Sequence, residues 1–145
     1  MDQAILDIYD ESLRRCNAQQ GFLDRFYLRF MASSPKVRSR FENTDFARQK
    51  LALRASLHTM ALAVRDGEQG LEKYLRDLAE KHSKEELDIG AALYDYWLDA
   101  LLATVREYDP KFGPEVEEAW EGVMQAGIQY LISHYDSPPR EERRS

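Results

Sequence analysis

His82 is the residue whose type and position in this sequence point most directly to chemistry. It follows Leu71, Leu75 and Leu78 at helical spacing, so a histidine ends an apolar stripe on one face of a helix. The other positions of this segment are mostly charged and suit a solvated face. A buried imidazole needs hydrogen-bond partners or a metal ion, because leaving it unpaired costs about 1–3 kcal/mol. Two interpretations follow: a boundary histidine bonded to a neighbouring carbonyl group, or a metal ligand.

Other site chemistries find little support in the residues. The three histidines, His58, His82 and His134, are far apart and form no H-x-x-x-H pair, so a metal cage made only of protein side chains is not predicted. The single cysteine, Cys16, follows two arginines and is interpreted as a structural thiol. The sequence contains no phosphate-binding glycine loop and no G-x-S-x-G motif.

Composition indicates a soluble, one-domain protein. The chain has 145 residues, of which 43% are hydrophobic and 32% charged, and a formal net charge of −6. This acidic balance does not favour a nucleic-acid-binding groove. One cysteine is typical of a reducing compartment, and neither a signal peptide nor an apolar run of about 20 residues is found. We therefore expect a cytoplasmic location without membrane insertion.

The apolar periodicity predicts an all-α fold. Glycine and proline fall between helical patterns, and alternating strand patterns are missing from the sequence. A turn over 66–70 is expected to lead into the helix of His82. Residues 1–136 are predicted to form one domain, and the polar segment 137–145 a disordered tail. The predicted helices cover 2–17, 22–32, 35–41, 46–64, 71–82, 85–108 and 115–135.

Several short motifs occur in an order that resembles a known family. Fourteen positions separate Tyr27 from Phe41, with Ser34-Pro35 between them. The remaining motifs are Gln49 with Leu53 one turn later, Lys81-His82, and Ala119-Trp120. Over about residues 5–135 the arrangement resembles the globins, especially bacterial single-domain haemoglobins and the globin part of flavohaemoglobins. The resemblance implies a globin fold, a three-on-three helical sandwich of about seven to eight helices.

The resemblance also implies haem b (iron protoporphyrin IX) as the cofactor and assigns its contacts. His82, preceded by Lys81, corresponds to the proximal iron ligand, and Tyr94 or Tyr96 to the tyrosine that orients it. Phe41 corresponds to the phenylalanine that wedges against the haem. On the distal side the corresponding residues are Tyr27, Gln49 and Leu53.

The chain departs from the family pattern in three places. The corner between Phe41 and Gln49 is shorter than in flavohaemoglobins, and the segment from His82 to Tyr94 is about two residues longer. Where those families carry a last-helix glutamate that bonds the proximal histidine, this chain has Tyr135, preceded by His134. The reductase domains of flavohaemoglobins have no counterpart here.

A haem pocket of this composition is predicted to bind diatomic gases. Iron held by one imidazole keeps its sixth position open, and the outer atom of bound O₂ accepts hydrogen bonds well. Tyr27 and Gln49 can both donate, which favours reversible O₂ binding and also admits CO and NO. Two alternatives remain open: the Tyr27 hydroxyl bonds a carbonyl group instead, and Gln49 gates the pocket or turns to solvent. The apolar wall of the pocket is expected to consist of Phe22, Phe30, Phe41 and Leu53.

Two other function classes remain in view. One is a haem enzyme, with NO dioxygenation through an external reductase as the favoured reaction, although the missing last-helix carboxylate argues against it. The other is a gas-sensing or signalling module that acts through a partner protein. The expected oligomeric state is a monomer or a weak homodimer.

Overall fold

The predicted all-α architecture is confirmed. The computed structural model describes residues 1–82 and 90–134, apart from the side chain of Lys81. Within these ranges every helix is too short or too polar to span a bilayer. The described part of the chain forms seven helices: α1 Gln3–Asn17, α2 Phe22–Ala32, α3 Pro35–Arg40, α4 Phe46–Arg65, α5 Gly67–Lys81, α6 Ala91–Tyr108 and α7 Pro114–Ser133.

Local capping explains where several helices begin. A side chain accepts a backbone N–H at the start of three helices: Asp2 for α1, Ser34 for α3 and Asp45 for α4. Pro35 occupies the first turn of α3, where its missing N–H costs nothing. Gly21, with φ +92°, supplies the left-handed residue immediately before α2. Gly21 and Pro35 thus lie at the ends of helical segments, as the sequence predicts.

Two predicted helix boundaries need correction. α5 begins at Gly67, so the predicted turn over 66–70 is reduced to Asp66, and α5 is a full 15-residue helix. The predicted start of the sixth helix at Glu85 lies outside the described residues; the described helix begins at Ala91 and has 18 residues. It is therefore not the longest of the described helices, because α4 and α7 have 20 residues each.

The surroundings of Gly70 explain why a glycine occurs inside helix α5. It is buried in α5, and a Cβ atom built on it would lie 2.1 Å from the backbone oxygen of Ala63 in α4. The glycine that resembles a helix breaker in sequence is thus required by a close crossing of two helices. This crossing fixes the path of α5 toward His82.

The helices pack as two interleaved layers around one apolar core. α2 contacts α6, α4 contacts α5, and α7 contacts α1, α4, α5 and α6. Cys16 is fully buried in this core, and burial raises its pKa to about 12, as suits the structural thiol expected from the sequence. The largest fully buried side chains are Trp120, Tyr9, Phe22, Phe26, Leu57, Leu75, Leu101 and Met124.

A buried carboxylate joins α1 to the corner between α6 and α7. Asp109 accepts hydrogen bonds from Arg15 Nε at 2.6 Å, Ser12 Oγ at 2.6 Å and the backbone N–H of Lys111 at 2.8 Å. Burial alone raises the pKa of Asp109, but these three donors reverse the effect and leave it below its ordinary value. The network therefore adds stability at neutral pH that is lost as the pH falls through this lowered pKa.

The same network continues to α4. Trp120 Nε1 donates to Ser12 Oγ at 2.9 Å, and the Trp120 ring packs on Tyr9 with centroids 4.6 Å apart. The Tyr9 hydroxyl in turn donates to the backbone oxygen of Leu57, in the middle of α4, at 2.6 Å. A continuous set of contacts thus runs from the buried carboxylate to the helix that carries Gln49 and Leu53.

The close crossing predicts opposite effects for two glycine substitutions. Ala is preferred over Gly inside helices by about 1 kcal/mol, but Gly70→Ala must displace the backbone of α4 and should lower the free energy of unfolding by about 1–3 kcal/mol. Gly122→Ala is the matched control, because its Cβ would meet only Met1 Cε at 3.8 Å. It should raise the free energy of unfolding by about 0.5–1 kcal/mol. Urea unfolding of both variants measures these changes in the free energy of unfolding. Stabilisation by both substitutions would contradict the claim that α4 and α5 cross closely at Gly70.

Candidate functional site

His82 lies at the carboxyl end of α5, where the sequence predicts it. It is the C-cap residue, and its backbone N–H donates to the oxygen of Leu78 at 3.0 Å. Leu75, on the same face, is buried, while Leu78 and His82 are half-buried. The imidazole is thus attached to a helix anchored by its leucines, and it stands at the boundary of the core.

The imidazole of His82 is oriented by a tyrosine of the next described helix. Nδ1 of His82 lies 3.0 Å from the hydroxyl of Tyr94, and the two rings are 6.2 Å apart. Of the two tyrosines considered from the sequence, Tyr94 makes this contact, while Tyr96 is half-buried elsewhere on α6. Burial raises the pKa of the Tyr94 phenol, so the hydroxyl stays neutral and keeps its proton.

Tyr27 is buried between α2 and α4. Its ring packs edge-on against Phe26 and Phe46, with centroids 4.9 and 5.4 Å away. Its hydroxyl donates to the backbone oxygen of Gln49 at 3.3 Å, which is the carbonyl contact that the sequence left open as an alternative. Burial raises the pKa of the phenol and the bond to Gln49 opposes this only in part, so Tyr27 is a neutral donor.

Gln49 meets Tyr27 through its backbone. It occupies the first turn of α4, its N–H donates to the oxygen of Asp45 at 3.0 Å, and its side chain is half-buried. Leu53, one turn later, is 7% exposed and belongs to the core. The structure therefore brings Tyr27, Gln49 and Leu53 to one place, with Tyr27 bonded to the main chain of its predicted partner.

An aromatic layer surrounds Tyr27. Phe26 stacks on Phe30 at 5.6 Å and meets Trp97 of α6 edge-on at 6.0 Å. Phe30 in turn meets Phe41, at the end of α3, edge-on at 5.5 Å. Together with Phe46, this layer joins α2, the end of α3, α4 and α6 around a mostly buried Tyr27 ring.

One residue expected in the wall lies elsewhere. Phe22 is buried, but its ring contacts Tyr108 at the far end of α6, with centroids 5.8 Å apart. Phe22 lies one turn before Phe26, and Tyr108 is the last residue of α6. Of the other expected contributors, Phe30 packs against Phe41, and Leu53 is buried on α4 one turn after Gln49.

The other two histidines considered from the sequence are not part of this cluster. His58 is exposed on α4. His134 stacks on Tyr130 at 4.2 Å and its Nδ1 lies 2.9 Å from the Tyr130 oxygen, beside an open groove of about 890 Å³ between α5 and α7. The side chain of Lys81 and all of Tyr135 lie outside the described residues.

Comparisons with known proteins agree with this geometry. The family model described as Globin matches residues 24–131. A solved structure, that of protein PA3967 from Pseudomonas aeruginosa PAO1, described as structurally highly homologous to a human hemoglobin, is 41% identical with a TM-score of 0.87. The match covers 92% of this chain and 99% of that one. A search of the curated proteins gives no match. The family match, the close structural similarity and the helix order together show that the chain belongs to the globin family.

Proposed function

We propose that this chain binds haem b through His82 and uses it to bind O₂ reversibly, with CO and NO as further ligands. Membership of the globin family implies haem binding in general and the binding of diatomic gases such as O₂. The observation that carries the assignment to His82 is the contact between its Nδ1 and the Tyr94 hydroxyl. We propose Tyr27 and Gln49 as the hydrogen-bond donors on the opposite, distal side.

The contact with Tyr94 suits an iron ligand. A metal-binding histidine commonly bonds a protein group through its second nitrogen, which fixes the tautomer and the ring plane. When Nδ1 carries the proton and donates to the Tyr94 oxygen, Nε2 is the nitrogen whose lone pair is directed at a metal. Tyr94 is buried, which raises the pKa of its phenol, and the lone pairs of the neutral phenol oxygen can accept this bond.

Haem with ferrous iron supplies the open coordination position at which a diatomic gas binds. The protein's part is to hold the imidazole, exclude water and direct donors. α5 and Tyr94 fix His82. Phe30, Phe41 and Leu53 supply apolar surface. The Tyr27 hydroxyl is a donor held beside the first turn of α4.

Tyr27 has an internal acceptor for its proton. The bond to the Gln49 oxygen is 3.3 Å long, at the weak end of the hydrogen-bond range, so a partly charged ligand atom can compete for the same proton. The stabilisation gained by the ligand is then the difference between two hydrogen bonds. We therefore expect a contribution of about 0.7–1.4 kcal/mol, in the middle of the range for one net hydrogen bond.

Gln49 has two candidate roles. Its half-buried side chain lies on the first turn of α4, where the flanking stripe of Phe46, Leu53 and Leu57 calls for an apolar residue. The amide can turn inward to donate to the ligand, or lie at the pocket mouth and control entry. We favour direct donation, because Tyr27 already lies against the backbone of Gln49.

His82→Ala tests the proposed ligand. This variant should lose most of its bound haem, because it lacks the sole protein bond to iron. His58→Ala is the matched control, since His58 is exposed on α4 and should leave haem content unchanged. Haem content is measured after reconstitution, by absorbance and by the haem-to-protein ratio. A His82→Ala protein with full haem content and an unchanged ferrous spectrum would falsify the assignment.

Tyr94→Phe tests the orienting contact. Removing the hydroxyl should increase the rate of haem loss several-fold, because the His82 ring is no longer fixed by about 1 kcal/mol of hydrogen bonding. It should also abolish the slowly exchanging Nδ1–H signal of His82 in ¹⁵N NMR spectra. Tyr96→Phe, on the same helix, should change neither. Equal effects of the two substitutions would assign a general packing role to both rings.

Tyr27→Phe tests the distal donor. The O₂ dissociation rate should rise about three- to tenfold, which corresponds to the loss of about 0.7–1.4 kcal/mol of hydrogen bonding. The CO dissociation rate should change less, because bound CO is less polar. Flash photolysis and stopped-flow mixing measure both ligands. Dissociation rates equal to those of the unaltered protein would mean that Tyr27 keeps its bond to the Gln49 carbonyl in the ligand-bound state.

Combining Tyr27→Phe with Gln49→Leu separates the two roles of Gln49. If both side chains donate to the same ligand, their effects on O₂ dissociation should be non-additive, with a coupling of about 0.5–3 kcal/mol. If Gln49 controls entry, Gln49→Leu should instead change the association rates of O₂ and CO alike. Strict additivity together with altered CO association would decide for entry control.

A further inference from the structure

Charge is distributed very unevenly along this chain. Residues 35–65, which contain α3 and α4, carry seven Lys or Arg and only two Asp or Glu, a net charge of +5 in a protein of net charge −6. α4 has no acidic residue, whereas α7 has four and no Lys or Arg. The molecule is therefore electrically polarised, with its positive side at α3 and α4.

The positive side is exposed to solvent. We define the basic surface as Lys36, Arg38 and Arg40 of α3 together with Arg48 and Arg54 of α4, all exposed. Only five residues connect the two helices, so these side chains occupy neighbouring parts of the molecule. A further lysine, Lys50, bonds Asp24 of α2 at 2.5 Å and anchors α4 beside α2.

The basic surface borders an apolar patch. Leu51 is 70% exposed and is the most exposed large hydrophobic residue in the described part of the chain. Ala47 and Ala55, one helical turn before and after it, are exposed on the same face of α4. Arg48 and Arg54 flank this stripe. An apolar centre with a charged rim is the composition of a transient docking site, in which charge steers the partner and apolar contact holds it.

The opposite face of the same helix belongs to the proposed haem pocket. Leu53 is buried and Gln49 meets Tyr27, so α4 separates the pocket from Leu51. A helix with its side chains is about 10 Å thick. A partner on this surface would therefore sit close to the cofactor.

We propose that the basic surface and the Leu51 stripe dock an acidic electron-transfer protein carrying a flavin or an iron–sulfur cluster. This inference rests on the proposed haem function, because reversible O₂ binding requires ferrous iron. In the step served by docking, one electron passes from the reduced carrier to ferric iron, giving oxidised carrier and ferrous iron, and no bond is made or broken in either protein. The sequence printed here has no glycine-rich phosphate-binding loop with which to hold a flavin or nicotinamide nucleotide of its own.

Haem propionates and nucleic acid each account for the basic surface less well than an acidic protein does. The two propionates of a haem carry at most two negative charges, fewer than the five positive charges of the basic surface. A nucleic acid would meet the strongly acidic remainder of the molecule, and the exposed Leu51 has no use in binding phosphates. A compact acidic protein can instead match both the charged rim and the apolar centre.

The test measures binding and electron transfer separately, with purified acidic flavodoxin as the probe. Oxidised flavodoxin is titrated into the haem-free and the haem-loaded protein by calorimetry, and ferric-haem reduction by reduced flavodoxin is followed by stopped flow. Arg38→Glu/Arg48→Glu should weaken binding and slow reduction about tenfold or more, and about 0.5 M salt should abolish the difference. Glu suits position 48, because it lies in the first turn of α4.

Two further variants sharpen the result. Leu51→Ser should weaken binding several-fold at every salt concentration, because it removes apolar contact and not charge. Arg65→Glu is the matched control for the single variant Arg48→Glu: it makes the same charge change on the same helix about 25 Å away, and should alter binding by less than twofold.

The remaining outcomes would overturn the docking proposal. Equal effects of Arg65→Glu and Arg48→Glu would do so, because net charge alone would then account for binding. Tighter binding to phosphatidylglycerol vesicles or duplex DNA than to flavodoxin, with the same dependence on Arg38 and Arg48, would do so as well. Reduction by dithionite followed by CO addition reports the haem function independently. If the protein binds CO after reduction by dithionite but does not bind flavodoxin, only the docking proposal is refuted.

Discussion

The buried carboxylate of Asp109 is the constraint on which the arrangement of helices depends. A charge removed from water is stable only when donors surround it, and here Arg15, Ser12 and a backbone N–H do so. Since these donors come from α1 and from the corner after α6, the bond can form only when both elements are in place. Trp120, bonded to Ser12, then carries the constraint through Tyr9 to α4. The position of the helix that lines the proposed distal pocket is in this way set by a polar contact at the other side of the core.

The two sides of the proposed pocket are positioned by different physical means. On the proximal side a hydrogen bond between Tyr94 and His82 links α6 to the end of α5, and the glycine crossing at Gly70 sets the path of α5. On the distal side aromatic packing fixes the orientation of the Tyr27 ring, and the Tyr27 hydroxyl donates a hydrogen bond to the main chain of α4. These two contacts suit the proposed reversible binding: the proximal contact would help to retain a haem, and the Tyr27 hydroxyl would exchange its acceptor for a bound ligand.

Sequence patterns predicted what depends on local periodicity and missed what depends on distant pairs. The starts of α3 at Pro35 and α4 at Phe46 and the place of His82 follow from neighbouring residues, and the structure has them as expected. The bond between Ser12 and Asp109 joins residues 97 positions apart, and no spacing rule relates them. A glycine at position 70 was interpreted as a turn because its close neighbour, Ala63 of α4, is visible only in three dimensions. The choice between Tyr94 and Tyr96 and the true acceptor of the Tyr27 proton likewise required coordinates.

The central claim is that this globin holds a haem whose iron is bound on one side by His82 and open on the other. It is tested most directly by the visible absorption spectrum of the purified protein after haem reconstitution, recorded oxidised, reduced, and reduced with CO. The account predicts uptake of one haem per chain, a ferrous spectrum typical of a histidine-ligated iron, and a sharp shift of the main band when CO is added. Failure to take up haem stoichiometrically, or a ferrous spectrum that CO leaves unchanged, would contradict it.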